Sequence, residues 1–312
     1  MVVVTAAIWA NNTSRFTTAE GSPMVLAHRG LGQTFDLRGV GNDTCTAERI
    51  HPPEHPYLEN TLPSMQAAFQ AGADIVELDV QLTADGRLAV FHDSTLECRT
   101  DGRGRVADHT LAELQTLDVG FGYTTDGGRT FPFRGKGTGL LPSLEQVLEA
   151  FPDRQLLLNP KNDDPAEGRA VGDRLRRLPG NRLRSIAVYG GDRAIAEVQR
   201  RAPAVRVMSR AIMKRCLGWY VALGWSGHVP SGCEGVQLHV PEGVGRWLWG
   251  WPHRFVDRMD KRNTRVVVVA GAGGFSEGFD TADDIARLPR GFSGVIWTNR
   301  VDRVAPLLQP GD

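Results

Sequence analysis

Nothing in this 312-residue sequence approaches a membrane span, since no apolar run reaches the roughly 18 residues that a bilayer core requires. An excess of either charge is also missing: 36 Lys and Arg stand against 36 Asp and Glu. That balance removes the broad basic field with which proteins gather a nucleic-acid backbone. No nucleic-acid partner is expected, and any anion must be met locally. Cysteines number only 4, and none falls in a C-x-x-C arrangement, which takes away the commonest zinc and redox motifs. A Walker-type phosphate loop is lacking, so nucleotide hydrolysis has no support. No Pro/Ser linker or internal repeat divides the chain, and its length lies within the range of a single α/β barrel.

Met1 to Ala10 is apolar, yet it lacks the basic n-region of a secretory leader and is too short to span. It reads either as the remnant of a leader or anchor, with Asn11-Asn12-Thr13-Ser14 as its exit, or as a frayed terminus. Residues 1–22 are accordingly set apart as a tail and 23–312 as a barrel domain. The four cysteines form an even set that permits two disulfides. Cys216 and Cys233 bracket one Gly- and aromatic-rich loop, while Cys45 and Cys98 both follow early strands and could meet above them. Four separate buried thiols is the other reading. Cysteine parity and the apolar N-terminus together favour an extracytoplasmic location, secreted or membrane-anchored.

What the sequence does have is alternation. Short β-rich apolar runs at Met24–Ala27, Ile75–Leu82, Gln155–Leu158, Ser185–Val188, Val205–Met208, Gly235–Val240, Arg265–Val269 and Gly294–Trp297 make eight candidate strands. Between them, Leu62–Ala71, Leu144–Ala150, Ala166–Leu178, Ala194–Arg201, His253–Arg262 and Thr281–Arg287 read as helices. The expected fold class is α/β, a (β/α)8 TIM barrel with loop insertions at the catalytic end. Arg87–Asp93 follows across the turn Ala84-Asp85-Gly86, and Arg87–His92 is expected to form an antiparallel extension of the second strand. Gln33–Tyr57 and Lys214–Cys233 are read as long loops that shape the substrate mouth.

Chemistry concentrates where the first strands end: His28-Arg29-Gly30, Glu59-Asn60-Thr61, Glu77-Leu78-Asp79 and His92-Asp93. Residues two apart in a strand share a face, so Glu77 and Asp79 place two carboxylates side by side. Burying two like charges is costly unless a cation lies between them, which points to a hard divalent metal, Mg2+ or Ca2+. Two histidines can serve as one base and one acid near neutral pH, and Arg29 offers a forked donor to phosphate oxygens. Taken singly, each of these residues has an ordinary structural explanation. Their joint placement at strand ends is the signal.

These motifs, in this order and spacing, resemble the glycerophosphodiester phosphodiesterase family: His-Arg-Gly on strand one, Glu-Asn-Thr opening the first helix, Glu-x-Asp on strand two, His-Asp after the hairpin. Gly294-Val-Ile-Trp-Thr-Asn299 is similar to that family's last strand. The resemblance covers about residues 24–308, with its specificity in 28–93. It implies the barrel, a bound divalent cation, and hydrolysis of a glycerophosphodiester, small or lipid-derived, to glycerol 3-phosphate and an alcohol. It also implies roles: His28 and His92 as the acid/base pair, Arg29 and Lys161 on the phosphate, Glu77 and Asp79 on the metal, Glu59 and Asn60 supporting. One position departs from the pattern. Where the family has Glu-x-Lys on strand three, this sequence has Asn159-Pro160-Lys161, so Lys161 is kept and a carboxylate ligand becomes an amide. An Asn carbonyl still coordinates Mg2+ or Ca2+, with one less negative charge, and weaker metal affinity is expected.

Two further features are open to more than one reading. Trp219, Tyr220, Trp225, Trp247, Trp249 and Trp251 are expected to pack beneath long loops; the other reading is an aromatic wall for a quaternary ammonium head group, or a surface that meets lipid, with membrane contact through these loops or the N-terminus. Gly271-Ala-Gly-Gly274 is expected to be a flexible loop, not a phosphate cradle. Two alternative functions are carried forward: a phospholipase D-like enzyme acting on lysophospholipid or sphingolipid, and a non-catalytic phosphodiester-binding protein.

Overall fold

The computed structural model describes residues 2–14, 21–41, 44–274 and 276–308. Its nine strands are β1 (Met24–Ala27), β2 (Ile75–Leu82), β3 (Leu88–Val90), β4 (Gln155–Pro160), β5 (Ile186–Tyr189), β6 (Arg206–Met208), β7 (Gln237–Pro241), β8 (Arg265–Val269) and β9 (Val295–Thr298). Eight of them run parallel in the order β6-β5-β4-β2-β1-β9-β8-β7, and a parallel bridge between Val207 and Val236 joins the two ends of that order. The result is the eight-stranded barrel that alternation predicts, with helices outside it. β3 pairs antiparallel with β2, Leu82 opposite Leu88 and Val80 opposite Val90, as the hairpin signal requires.

Strand parity explains which side chains fill the barrel. Val76, Leu78 and Val80 of β2 join the large core between sheet and helices, whereas Ile75 belongs to a separate inner cluster with Leu26, Leu157, Ala187, Val267 and Trp297. Because side chains alternate, Glu77 and Asp79 share the side of Ile75, which is the interior. The same count places His28 above Leu26, Asn159 above Leu157, Tyr189 above Ala187 and Asn299 above Trp297. Apolar residues therefore close the N-terminal half of the interior, and polar ones line its C-terminal end, where barrels of this kind carry their sites.

Residues 44–58 and 89–141 fold over that end with a core of their own, in which Leu58, Phe91, Leu96, Leu114, Tyr123 and Phe133 are buried. Cys45 and Cys98 are disulfide-bonded within this insertion, and the Cys216–Cys233 bridge joins the helix after β6 to the turn before β7.

Two expectations need correction. Lys214–Cys233 is not one loop, because Arg210–Leu223 is a 14-residue helix capped by the Ser209 hydroxyl. Ile212, Cys216 and Tyr220, spaced by four, form its buried stripe. Four of the tryptophans also do not pack under loops: Trp219, Trp225, Trp247 and Trp249 are exposed, whereas Trp251 is half-buried against Phe255 and Phe292, and among the six aromatics only Tyr220 is fully buried. Of the expected N-terminal tail, Val2–Asn12 is helical, while residues 15–20 lie outside the described residues.

Candidate active site

The turn His28-Arg29-Gly30 leaves β1 in a conformation few residues accept. Arg29 has φ 58°, and Asn60, whose backbone N–H donates to the Arg29 carbonyl at 3.0 Å, has φ 59°. Left-handed non-glycine residues cost on the order of 1–3 kcal/mol each and persist where the surroundings over-determine them. Here the reason is packing: Gly30 lies so close to the first turn of the Leu62–Gln70 helix that an added Cβ would stand 2.6 Å from the Ser64 hydroxyl. Close approach of the two segments brings Arg29, Glu59 and Asn60 together over the second strand.

Glu77 and Asp79 are completely buried. Asp79 accepts from the Asn60 side chain at 2.9 Å and from the Asn159 amide at 3.0 Å, and it pairs with Arg29 Nε at 3.1 Å and Lys161 Nζ at 3.4 Å. Glu77 accepts from the Tyr189 hydroxyl at 2.7 Å and from the Arg29 backbone N–H at 3.1 Å. Burial and the neighbouring Asp79 push the Glu77 carboxyl up. Burial also disfavours the Asp79 carboxylate, but Lys161 and Arg29 outweigh it and hold the group well below the usual range. Proximity of two acids thus divides their protonation states, as like charges in one dry site do.

From Asp79 a chain of alternating charge runs through the insertion. Arg29 bridges Asp79 to Glu59 at 2.9 Å, Glu59 meets Arg99 at 3.3 Å, Arg99 meets Asp93 at 2.9 Å, and Asp93 meets His92 Nδ1 at 2.6 Å. Arg99 also donates to the Tyr123 hydroxyl and the Thr46 hydroxyl. Sequence reasoning missed Arg99, Tyr189, His239 and the role of Asn299; Tyr189, His239 and Asn299 lie far along the chain from the residues they support, Arg99 sits in an irregular segment just past Asp93, and only the signal at Asn299, within the last strand's motif, was visible.

The two imidazoles are oriented differently. Asn299 donates its amide N–H to Asp280 and to the Ser276 carbonyl, so its oxygen faces His28 Nδ1 at 2.8 Å and His28 carries its proton there. His92 instead has a carboxylate, Asp93, against Nδ1. Burial, followed by Arg29, lowers the affinity of both rings for a proton, that of His28 well below its usual value.

His28, Arg29, Asn159 and Lys161 line a cavity of about 510 Å3, with Tyr189 and Trp297 on its wall. His92 lines a separate void of about 10 Å3 with Glu59, Asn60 and Arg99, so the rings do not share a cavity wall. Gly273 and Gly274 reach the cavity rim, but the Glu277 carboxylate already accepts from the Ala272 and Gly274 amides.

For a divalent cation the donor set is two buried carboxylates and an amide. Among the described residues there is no group of three or more His, Cys, Asp or Glu side chains that could hold a metal ion. Asn159 stands in register with Asp79 and turns its nitrogen, not its oxygen, toward it. Glu77 and Asp79 supply the hard oxygens such an ion needs, and the third position is the weak one.

A family model described as the glycerophosphoryl diester phosphodiesterase family matches residues 28–195. Among curated proteins, the glycerophosphodiester phosphodiesterase of Caldanaerobacter subterraneus subsp. tengcongensis is 42% identical over 103 residues, 32% of this chain and 38% of that protein. The corresponding enzyme of Bacillus subtilis is 42% identical over 96 residues, 30% of this chain and 31% of its own. The matches thus span about two fifths or less of these relatives' length. Among solved structures, the glycerophosphoryl diester phosphodiesterase domain of the uncharacterized protein Rv2277c from Mycobacterium tuberculosis superposes with a TM-score of 0.65 at 23% identity, covering 92% of this chain and 100% of that one. The enzyme from Agrobacterium tumefaciens gives 0.60 at 24%, covering 91% and 99%. At those identities the structural likeness speaks for the fold. The family match takes in more than half of the chain and all of the clustered motifs, and the chain belongs to the glycerophosphoryl diester phosphodiesterase family.

Proposed function

We propose that this protein hydrolyses glycerophosphodiesters to glycerol 3-phosphate and an alcohol, with His28 and His92 as its proton-transfer pair. The observation that carries the reading is the unlike anchoring of the two rings beside Asp79. His28 gives its Nδ1–H to a neutral amide and is held as a base. His92 has a carboxylate behind it that offsets part of what burial and Arg29 take from its proton affinity, which suits it better than His28 to donate.

The substrate's neighbouring glycerol hydroxyl attacks phosphorus as His28 Nε2 takes its proton, and the bond to the leaving alcohol breaks as His92 gives that oxygen a proton. A cyclic phosphate results. In the second half the roles reverse: His92 accepts a proton from water, water attacks phosphorus, and His28 protonates the departing glycerol oxygen. Arg29 and Lys161 face the charge that builds on the nonbridging oxygens. Arg29 must exchange part of its contact with Asp79 and Glu59 for the phosphate. A divalent cation, Mg2+ or Ca2+, would be held by Glu77, Asp79 and the Asn159 oxygen, and would supply positive charge beside the same phosphate. The paired cysteines support an extracytoplasmic place of action.

Removing either ring should lower turnover by about a hundred- to ten-thousandfold on a natural diester. A diester whose leaving group is an acidic phenol needs no acid, so it should restore much of the activity of His92→Ala and none of that of His28→Ala. Near-normal turnover of either variant on glycerophosphocholine would overturn the proposal, and equal recovery of both would overturn the division of roles. One observation favours the phospholipase D-like alternative, namely the exposed tryptophans, which suit an enzyme that meets lipid. Cyclic phosphate released from lysophosphatidylcholine in preference to glycerophosphocholine would decide for it.

A further inference from the structure

Of the 7 tryptophans in the chain, Trp219, Trp225, Trp247 and Trp249 are 60%, 44%, 73% and 37% exposed, and Trp9 is 52% exposed. Large aromatic rings left in water on this scale form the kind of apolar surface that marks an interaction site. They come from three stretches of sequence that the fold ties into one face. The Trp249 indole N–H donates to the Val221 carbonyl at 2.8 Å, and the Tyr220 hydroxyl donates to the Trp249 carbonyl at 2.7 Å, so the tip of the Arg210–Leu223 helix is fixed to the 246–251 segment. The Val2–Asn12 helix is bound to the same place. Asn12 donates to the Trp225 carbonyl at 2.7 Å, and Arg258 donates to the Asn11 carbonyl at 2.8 Å and to the Tyr220 hydroxyl at 3.0 Å. Between this helix and the 246–253 segment lies an open groove of about 950 Å3.

The charge of the face selects its partner. The chain as a whole is neutral, yet residues 209–232 hold Arg210, Lys214 and Arg215 without an acid, and residues 243–256 hold Arg246 and Arg254 without an acid. Arg210, Lys214, Arg215 and Arg246 are exposed. On the Arg210–Leu223 helix the order is telling: cations occupy its first half, and Trp219, Val221 and Leu223 project from its second half. An apolar tip with a basic collar is the arrangement by which a peripheral protein seats indole rings at headgroup depth while cations meet anionic lipid. Asp192 faces Arg210 and Lys214, and Glu234 is exposed beyond Cys233, but the cations outnumber these acids, so two copies of the face would repel more than they pair.

We propose that this tryptophan face binds the surface of an anionic bilayer, holding the barrel on the membrane with its cavity free. The first turn of the same helix, at Arg210 and Met213, lines the catalytic cavity. The tip lies about 20 Å from that turn by helical rise, so the collar is Lys214, Arg215 and Arg246, Arg210 stays at the mouth, and docking leaves the mouth open to diesters near the headgroups. This inference concerns attachment and does not rest on the catalytic assignment.

The full chain should be sedimented with vesicles of phosphatidylcholine alone and of phosphatidylcholine mixed with phosphatidylglycerol. Co-sedimentation with the mixed vesicles, weakened by salt, is expected. Replacing Trp219 and Trp247 together by serine should lower partitioning by at least about tenfold while leaving hydrolysis of soluble glycerophosphocholine and the thermal transition unchanged. Failure of the unaltered protein to bind mixed vesicles would overturn the proposal. So would sedimentation of the free protein as a dimer that the double substitution splits, because that result would assign the face to a second copy.

Discussion

At the scale of single residues, the site turns on what Asn159 does where an acid would be expected. Its amide N–H groups go to Asp79 and to the Tyr189 hydroxyl, and Tyr189 in turn donates to Glu77. Asn159 therefore stabilises the acid pair by donation, in a place where a carboxylate would repel it. Glutamate here would lose those two bonds and add a third negative charge, which only a cation would offset. We expect Asn159→Glu to need markedly lower divalent metal for half-maximal activity than the unaltered chain, by about tenfold or more. Titration of Mg2+ and Ca2+ into chelator-treated protein measures this, and equal half-saturation in both proteins would remove Asn159 from the metal question. The position was legible from sequence because Lys161 keeps its place two residues on. The direction in which the amide points was not, since sequence carries no rotamer.

Elements show a different balance between sequence and structure. All eight barrel strands were readable, for continuous apolar runs bounded by turn residues survive local noise. The Arg210–Leu223 helix was not, and the cause is its outer face: Trp219, Val221 and Leu223 are apolar and exposed, which erases the contrast that reveals an amphipathic helix. Arg99 escaped for a related reason. It sits in an irregular insertion whose side-chain neighbours, Glu59, Asp93 and Tyr123, come from three separate segments. The insertion is held to itself by the Cys45–Cys98 bridge, immediately next to Arg99, while the barrel beneath has its own core. Cys45→Ser with Cys98→Ser should therefore loosen the anchorage of Asp93 and His92 more than it weakens the barrel. The expected result is a fall in kcat of about tenfold or more with little change in KM, and a loss of about 2–4 kcal/mol in the insertion's resistance to unfolding. Protease sensitivity confined to residues 44–58 and 89–141 would accompany it. An unchanged kcat would show that Arg99 holds Asp93 without help from the bridge.

Over the whole molecule, the barrel interior changes from apolar at one end to ionisable at the other, and that gradient sets how stability responds to acid. His239 of β7 illustrates it. Its side chain faces the interior, accepts a hydrogen bond from the Gln237 amide at 2.8 Å, and packs 5.1 Å from the Tyr189 ring. Burial lowers its proton affinity, from the ordinary 6.5 to about 3. The unfolded chain therefore binds a proton at His239 between pH 6.5 and about 3 that the folded chain does not. Stability from this residue is complete above pH 6.5 and declines as the pH falls toward 3. Because His239 lines the open cavity and keeps part of its surface wet, its share is on the order of 1–2 kcal/mol, well below what a dry site would give. Denaturant unfolding at pH 7 and pH 4 should show this loss in the unaltered protein. His239→Leu, which does not titrate, should show a smaller difference between the two pH values by that amount, whatever its stability at pH 7. Equal pH dependence in both proteins would mean that the imidazole takes up its proton without leaving the folded barrel, and the polar end of the interior would then be wetter than its packing implies.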